Sequence, residues 1–320
     1  MKIKIISIIA LVISFLGCKN DLIINAPYKD MAVIFSFLDQ NEPIQYIRIE
    51  KLYQNSVSLS TTAGAQITDS LYFDTLIVKI INIVKNDTFN CYRVDTIPKN
   101  DGFFSSGRNT IYATSIPKNN ADQEVYQLLV INPKNNKTFT SQTTLVKDAI
   151  IEYRKIAIRL SPASHSFPFR FLSGNNAFLY DLIVRYQYKE TDATDTSIHE
   201  IKTVDYYIAR SSVYPQNSDC YTSINSRTYL DFLKSKVLKD DSKKRKTIGI
   251  TYQAYGGSQE FLRYLELTKP GIGIVQKKTE YSNISNGLGI FTSRNFNQLN
   301  MGLDPTTVTI IEGVLPNFAP

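Results

Sequence analysis

Residues 125–146 read VYQLLVINPKNNKTFTSQTTLV, and this stretch decides the fold class. Residues 125–132 and 138–146 are two runs rich in β-branched, aromatic and threonine side chains. Residues 133–137 separate them with the proline and asparagine residues that favour a tight turn. Two such runs joined by a short turn predict an antiparallel β-hairpin.

Similar runs precede this hairpin at 31–38, 44–53, 76–84, 88–96 and 111–116. In one of them Ile47 and Ile49 alternate with Arg48 and Glu50, which is the period of a half-buried strand. About seven short strands with turns between them are typical of an antiparallel β-sandwich. The chain up to residue 148 therefore predicts a sandwich of the immunoglobulin or fibronectin kind.

The second half of the chain is also rich in strand-like runs, at 151–160, 178–188, 198–214, 247–255 and 306–312. Helical spacing appears first at Tyr229, Phe232, Leu233 and Val237, which form one apolar stripe. Ser258 is a candidate cap for a second short helix. The prediction is a mainly β protein whose second, β-rich domain, residues 149–320, has one or two short helices.

The N-terminus has the features of an export signal. Lys2 and Lys4 precede a run of about twelve mainly apolar residues, which is the length of a signal-peptide core and shorter than the roughly twenty residues of a membrane-spanning helix. Gly17 and Cys18 follow and resemble the lipobox of bacterial lipoproteins, although Phe15 and Leu16 depart from its usual residues. The prediction is a signal peptide at 1–17, a tether at 18–30 and a lipid on Cys18; an ordinary signal peptide is the alternative.

Composition limits the other function classes. Hydrophobic residues make up 43% of the chain and charged residues 20%, which is normal for a globular protein. Much of the net charge of +7 lies in the run 239–246, which has no aromatic residue and predicts a solvated loop and no nucleic-acid site. Cys91 and Cys220 are predicted to be free thiols, with a disulfide between them as the alternative.

Catalytic and metal-binding patterns are weak in this sequence. Its two histidines, His165 and His199, are far apart and lack neighbouring ligands at metal-binding spacing, so no metal or other cofactor is predicted. Paired carboxylates serve glycoside hydrolysis, and Glu260, Glu266 and Glu280 are candidates, but their spacing defines no pair. A protein that is not an enzyme is therefore the prediction.

The most distinctive stretch covers residues 280–291. Asn286 and Gly287 favour a turn because both tolerate a positive φ, and Gly289 would permit a close backbone approach. One interpretation is a hairpin or tight loop that sends Ile290 and Phe291 into the core. The alternative is a ligand-binding loop, with the candidate residues Tyr281, Asn283, Asn286, Gly287 and Gly289.

Residues 282–291 resemble the Ser-Asn-Ile-x-(Asn/Gly)-Gly-x-Gly-x-Phe signature of a family of Bacteroidetes outer-membrane lipoproteins of unknown function. Residues 126–144 are also similar to the first domain of that family. Members are often encoded near TonB-dependent receptors, so the resemblance implies such a receptor as partner. It implies a lipid-anchored binding or accessory protein on either the periplasmic or the outer face of the outer membrane. A structural or adhesive surface protein is the alternative, and a carboxylate-dependent hydrolase is a further one.

Overall fold

The computed structural model describes residues 31–52, 71–98, 109–118, 124–151, 158–161, 166–268 and 281–318. The predicted signal peptide, the tether and Cys18 lie outside the described residues. The described part of the chain is mainly β and contains three helices. No helix in these ranges is long and apolar enough to cross a membrane.

The strands are β1 Ala32–Asp39, β2 Gln45–Lys51, β3 Ile77–Asn82, β4 Asp87–Val94, β5 Ile111–Thr114, β6 Val125–Asn132, β7 Lys137–Thr144, β8 Ile150–Ile151, β9 Ser166–Leu172, β10 Leu179–Asp192, β11 His199–Val213, β12 Asp219–Asn225, β13 Lys243–Gly257 and β14 Leu288–Met301.

Eleven strands form one sheet in the order β11-β10-β13-β14-β1-β2-β5-β4-β3-β6-β7. The predicted strands up to residue 146 are all present, and β6 and β7 form the predicted hairpin with Asn136 at a φ of 55°. The N-terminal part of the sheet curls until β7 returns beside β14, where the Ser285 amide donates to the Thr140 carbonyl at 2.8 Å. This curled half encloses one apolar core, whose fully buried members include Ile34, Leu128 and Phe291. A mainly β protein with a sandwich-like N-terminal half is thereby confirmed.

β14 connects the two predicted domains. Its first half pairs in parallel with β1, from Val33 opposite Leu288 to Asp39 opposite Arg294. Its second half pairs antiparallel with β13, from Gly257 opposite Arg294 to Ile250 opposite Met301. The hydrogen-bonded sheet therefore runs through both halves of the chain, and the domain boundary at residues 148 and 149 stays a prediction.

The second core lies against one face of β10 and β13. A small sheet of order β12-β9-β8 covers that face with alternating phenylalanines of β9. Phe169 stacks on Tyr252 at 4.5 Å between ring centroids, and Phe171 contacts Tyr180 edge-on at 4.9 Å. Such fully buried rings supply a large share of the apolar burial that stabilises a domain. Cys220 lies in this core as a free thiol, and Cys91, half-buried on β4, is also free; burial raises the pKa of Cys91 to about 12.

Two of the helices confirm the sequence-based prediction. Helix α1, Ser226–Lys236, begins after Asn225, whose Oδ1 accepts a hydrogen bond from the Thr228 amide at 3.0 Å. It buries Tyr229 and Leu233 of the predicted stripe. Helix α2, Gln259–Thr268, begins directly after Ser258.

The strand predicted at 306–312 is wrong, because this segment is helix α3, Pro305–Val314. Asp304 caps the helix by accepting a hydrogen bond from the Thr306 amide at 2.8 Å, and Pro305 occupies the first turn, where its missing amide proton costs nothing. The β-branched residues of the segment favour a strand, but Thr307 and Ile311 are buried at helical spacing. Capping and tertiary burial therefore outweigh the local β propensity.

Candidate functional site

Asn283 of the C-terminal motif binds the backbone of its own chain. Its Nδ2 donates to the Phe291 carbonyl at 2.7 Å, and its Oδ1 accepts from the Phe291 amide at 3.0 Å. Asn286 has a φ of 64° and donates from Nδ2 to the Thr138 carbonyl at 3.1 Å. The motif is thus a turn that fastens the start of β14 to β7 and buries Ile290 and Phe291, as the first interpretation predicts.

The two glycines of the motif make close backbone contacts with β1. A Cβ placed on Gly287 would lie 2.8 Å from the Ala32 carbonyl oxygen. A Cβ on Gly289 would lie 2.0 Å from the Ile34 carbonyl oxygen, and Gly289 has a φ of 104°. No β carbon fits at such distances, so the expected close approach at Gly289 is confirmed.

Tyr281, the first candidate of the motif, is half-buried beside α2. Burial raises the pKa of its hydroxyl, and the charges that act on it belong to Glu260 and Arg263 of that helix. Tyr281 therefore lies beside α2, whereas Asn283 and Asn286 bind the backbones of β14 and β7. Their role in ligand binding stays a prediction, and the contacts of Asn283 support a structural role.

Substituting Asn283 with alanine is expected to lower the free energy of unfolding by about 2 kcal/mol, because it removes two hydrogen bonds from a half-buried backbone. Asn286→Gly is the matched control, since glycine keeps the positive φ and only one exposed hydrogen bond is lost. Urea unfolding followed by far-UV circular dichroism measures both. Equal stability of the two variants would contradict the structural role of Asn283.

A cleft of about 340 Å³ lies on the outer face of the curled half of the sheet. Ile34, Ile47 and Ile49 point to the core, so the alternate residues of β1 and β2 face outward. In register, Phe35 lies opposite Arg48, and Arg48 lies opposite Ile111 of β5. The residues that line the cleft include Phe35, Phe37, Asp39, Glu42, Tyr46, Arg48, Ile111 and Arg294.

Two arginines of the cleft are held in place by carboxylates. Arg48 Nε lies 2.8 Å from Glu50 Oε1, and its Nη2 donates to Asn109 Oδ1 at 3.3 Å. Arg294 Nε lies 3.3 Å from Oδ2 of the buried Asp39, while the Arg294 side chain is itself 52% exposed. A guanidinium group has five donors in a fixed plane. These contacts fix both groups and leave each of them within reach of an anionic or carbonyl ligand.

Aromatic rings form the apolar part of the cleft. Phe35 and Tyr46 are 36% and 45% exposed, so both rings present apolar surface to the cleft. Helix α2 packs against the rings of β1 from one side, because Phe37 contacts Phe261 edge-on at 5.1 Å and Phe35 contacts Tyr264 at 6.4 Å. The cleft therefore offers ring faces and oriented cations next to each other.

Asp39 and Glu42 are the two acids of this cleft and bear on the hydrolase hypothesis. Burial raises the pKa of Asp39, and the Glu42 charge raises it further, while the Asn41 amide and Arg294 oppose the shift. Asp39 already accepts the Asn41 amide at 3.1 Å and pairs with Arg294. That arrangement is typical of a structural carboxylate. Among the earlier candidates, Glu260 accepts from Ser258 at the start of α2, Glu266 is on the same helix and Glu280 lies outside the described residues.

The sequence singled out none of the cleft residues as a site. They come from β1, the turn after it, β2, β5 and β14, which are up to about 260 residues apart in the chain, and no local spacing connects them. Ile47, Arg48 and Ile49 carried only the alternation of a half-buried strand. The described residues also contain no group of three His, Cys, Asp or Glu side chains arranged for a metal ion.

No protein-family model matches this chain, and no curated protein matches it. Among solved structures, the C-terminal globular domain of an oligosaccharyltransferase from Pyrococcus abyssi is similar over 72% of this chain and 44% of its own, with 10% identity and a TM-score of 0.25. A BSP domain of a biofilm-associated protein is similar over 89% of this chain and 62% of its own, with 9% identity and a TM-score of 0.13. The matched part thus spans less than two thirds of the length of each of these two solved chains, and likenesses this weak carry no functional argument.

Proposed function

We propose that this protein is a non-catalytic binding or accessory lipoprotein of the cell envelope, anchored through Cys18 to the outer membrane and acting with a TonB-dependent receptor. The observation that carries the binding role is the outer-face cleft, where exposed rings lie beside two arginines fixed by carboxylates. The export signal and the family resemblance of residues 282–291 support the location and the partner.

The cleft chemistry favours one kind of contact. Phe35 and Tyr46 offer apolar ring surface, and Arg48 and Arg294 offer donors for a carboxylate or a backbone carbonyl. An extended loop or periplasmic turn of a receptor carries the matching groups, which are apolar side chains for the rings and carboxylates or backbone carbonyls for the arginines. Tyrosine and arginine are also the residue types that contribute most at protein interfaces.

The test is co-purification of the detergent-solubilised lipoprotein with a TonB-dependent receptor from the outer membrane of the same organism. A double variant, Tyr46→Ala with Arg48→Gln, is expected to reduce receptor recovery at least tenfold, because it removes one ring and one cation from the cleft. Arg227→Gln is the matched control, since Arg227 is 75% exposed on α1. Full recovery with the double variant would contradict a role for the cleft.

The anchor is tested separately by Cys18→Ser. The variant is expected to leave the membrane fraction, and the intact mass of the parent protein should show acyl chains on the N-terminal cysteine. A parent protein without acyl chains would overturn the lipoprotein assignment and leave the cleft result standing.

A further inference from the structure

Strands β11, β10, β13 and β14 present a second outward face, distinct from the cleft. Leu182, Val184 and Tyr252 point into the core, so the alternate residues face outward. The register aligns these in rows: Asp205 with Arg185, Gln253 with Gln298, and Tyr255 with Phe296. We call these six residues the platform.

The platform side chains are fixed by one another. Arg185 binds Asp205 through two bonds, Nε to Oδ1 at 2.6 Å and Nη2 to Oδ2 at 2.7 Å. The rings of Tyr255 and Phe296 stack at 4.5 Å with 29° between their planes. Paired polar groups and one aromatic pair therefore order the platform side chains.

Gln253 lies in the middle of the platform with an unpaired polar atom. The residue is only 2% exposed, and its Nε2 donates to Gln298 Oε1 at 3.1 Å. Its Oε1 is buried and has no hydrogen-bond partner among the described residues. The opposite orientation of the amide would leave its NH₂ group unpaired instead. A buried amide with one unsatisfied end costs about 1–3 kcal/mol, so its presence calls for a reason other than stability.

We propose that the platform binds a neutral saccharide. A hydroxyl group of the sugar donates to Gln253 Oε1 after the exposed Gln298 side chain moves aside, and Arg185 and Asp205 bind neighbouring hydroxyl groups. The Tyr255 ring, 36% exposed, packs on the C–H face of a pyranose. Hydroxyl groups suit this site because each one can both donate and accept a hydrogen bond. They can donate to Gln253 Oε1 and to the Asp205 carboxylate, and they can accept from the Arg185 guanidinium group.

The test is isothermal titration calorimetry of the full-length lipoprotein in detergent with three probes: maltohexaose, xylohexaose and chitohexaose. At least one is expected to bind with a Kd below about 1 mM, a range reached by modest sites. Tyr255→Ala and Gln253→Leu are each expected to weaken binding at least tenfold. Gln253→Leu should leave the unfolding temperature unchanged or higher, because an apolar group of similar size removes the unsatisfied amide.

Tyr92→Ala is the matched control, because Tyr92 is 56% exposed on β4 and belongs neither to the platform nor to the cleft lining. It should bind the same saccharide as the parent protein does. The proposal is overturned if none of the three probes binds, or if Tyr255→Ala and Gln253→Leu bind normally. Equal weakening by Tyr92→Ala would show that the loss is not specific to the platform, and equal weakening by Tyr46→Ala would place the saccharide in the cleft. Either result overturns the proposal. Receptor recovery is independent of these measurements, so either proposal can fail alone.

Discussion

Replacing Gly289 with alanine is expected to lower the free energy of unfolding by at least about 4 kcal/mol, which is a large part of the 5–15 kcal/mol that stabilises a typical domain. Two costs add. A side chain at a φ of 104° is strained, and the new β carbon would lie 2.0 Å from the Ile34 carbonyl oxygen. Relief requires β1 and β14 to separate, and these two strands join both halves of the sheet.

Gly313→Ala is the control for this experiment. Gly313 lies in helix α3 and has nothing within 4 Å of its β position, so alanine should stabilise the protein by about 0.5–1 kcal/mol. Thermal and urea unfolding measure both variants. A Gly289→Ala protein whose stability is within 1 kcal/mol of the parent would show that the strands do not approach this closely.

Replacing Glu124 with glutamine is expected to cost about 2–3 kcal/mol at pH 7. The Glu124 side chain is 1% exposed and lies just before β6. It pairs with Lys85 Nζ at 3.0 Å and accepts from Asn82 Nδ2 at 2.8 Å and from the Tyr126 hydroxyl at 3.1 Å. Glutamine removes the charge and brings an NH₂ group against at least one of these donors.

The effect of Glu124 depends on pH. Burial raises the pKa of its carboxyl, but the hydrogen bonds from Lys85 and Tyr126 outweigh burial and hold the pKa below its ordinary value of 4.5. When the pKa of a carboxyl group is lower in the folded protein than in the unfolded chain, its charge stabilises the fold at pH values above the unfolded-state pKa. That stabilisation is lost as the pH falls through the folded-state pKa. The difference between parent and variant should therefore shrink below about pH 4.5.

Glu200→Gln is the matched control, because the Glu200 side chain is 66% exposed and its ion pair with Lys202 is on the surface. It should change stability little at pH 7 or at pH 4. Urea midpoints at the two pH values measure both variants. A Glu124→Gln defect that stays constant with pH would contradict the assigned charge interaction.

Strands in which apolar and polar residues alternate could be predicted from the sequence, and strands with a buried polar face could not. In β14, the polar residues Ser293, Asn295 and Asn297 interrupt the apolar pattern. They bind the segment that links the two halves: Ser293 Oγ accepts the Val146 amide at 3.1 Å, Asn295 binds Asp148, and Asn297 donates to the Ala149 carbonyl at 2.6 Å. Only partners about 150 residues away explain why Ser293 and Asn295 are buried.

β9 was missed for another reason. Phe167, Phe169 and Phe171 alternate perfectly, but Pro168 lies between them and normally argues against an inner strand. Pro168 cannot donate a backbone hydrogen bond, yet its carbonyl accepts one from the Tyr252 hydroxyl at 2.9 Å. The alternation was therefore a sufficient signal, and the proline is tolerated in a short, three-stranded sheet.

The sequence by itself determined the mainly β class, the N-terminal hairpins, the first two helices and the turn that buries Ile290 and Phe291. These features depend on residue periods and turn preferences, which act over a few neighbouring residues. It also predicts the lipid on Cys18, which depends on a short local signal. Only the tertiary structure decided that β14 joins two half-sheets, that residues 306–312 are helical, and that Arg48 and Arg294 meet in one cleft. Long-range strand pairing decides such features, because it places residues side by side whatever their separation in the chain.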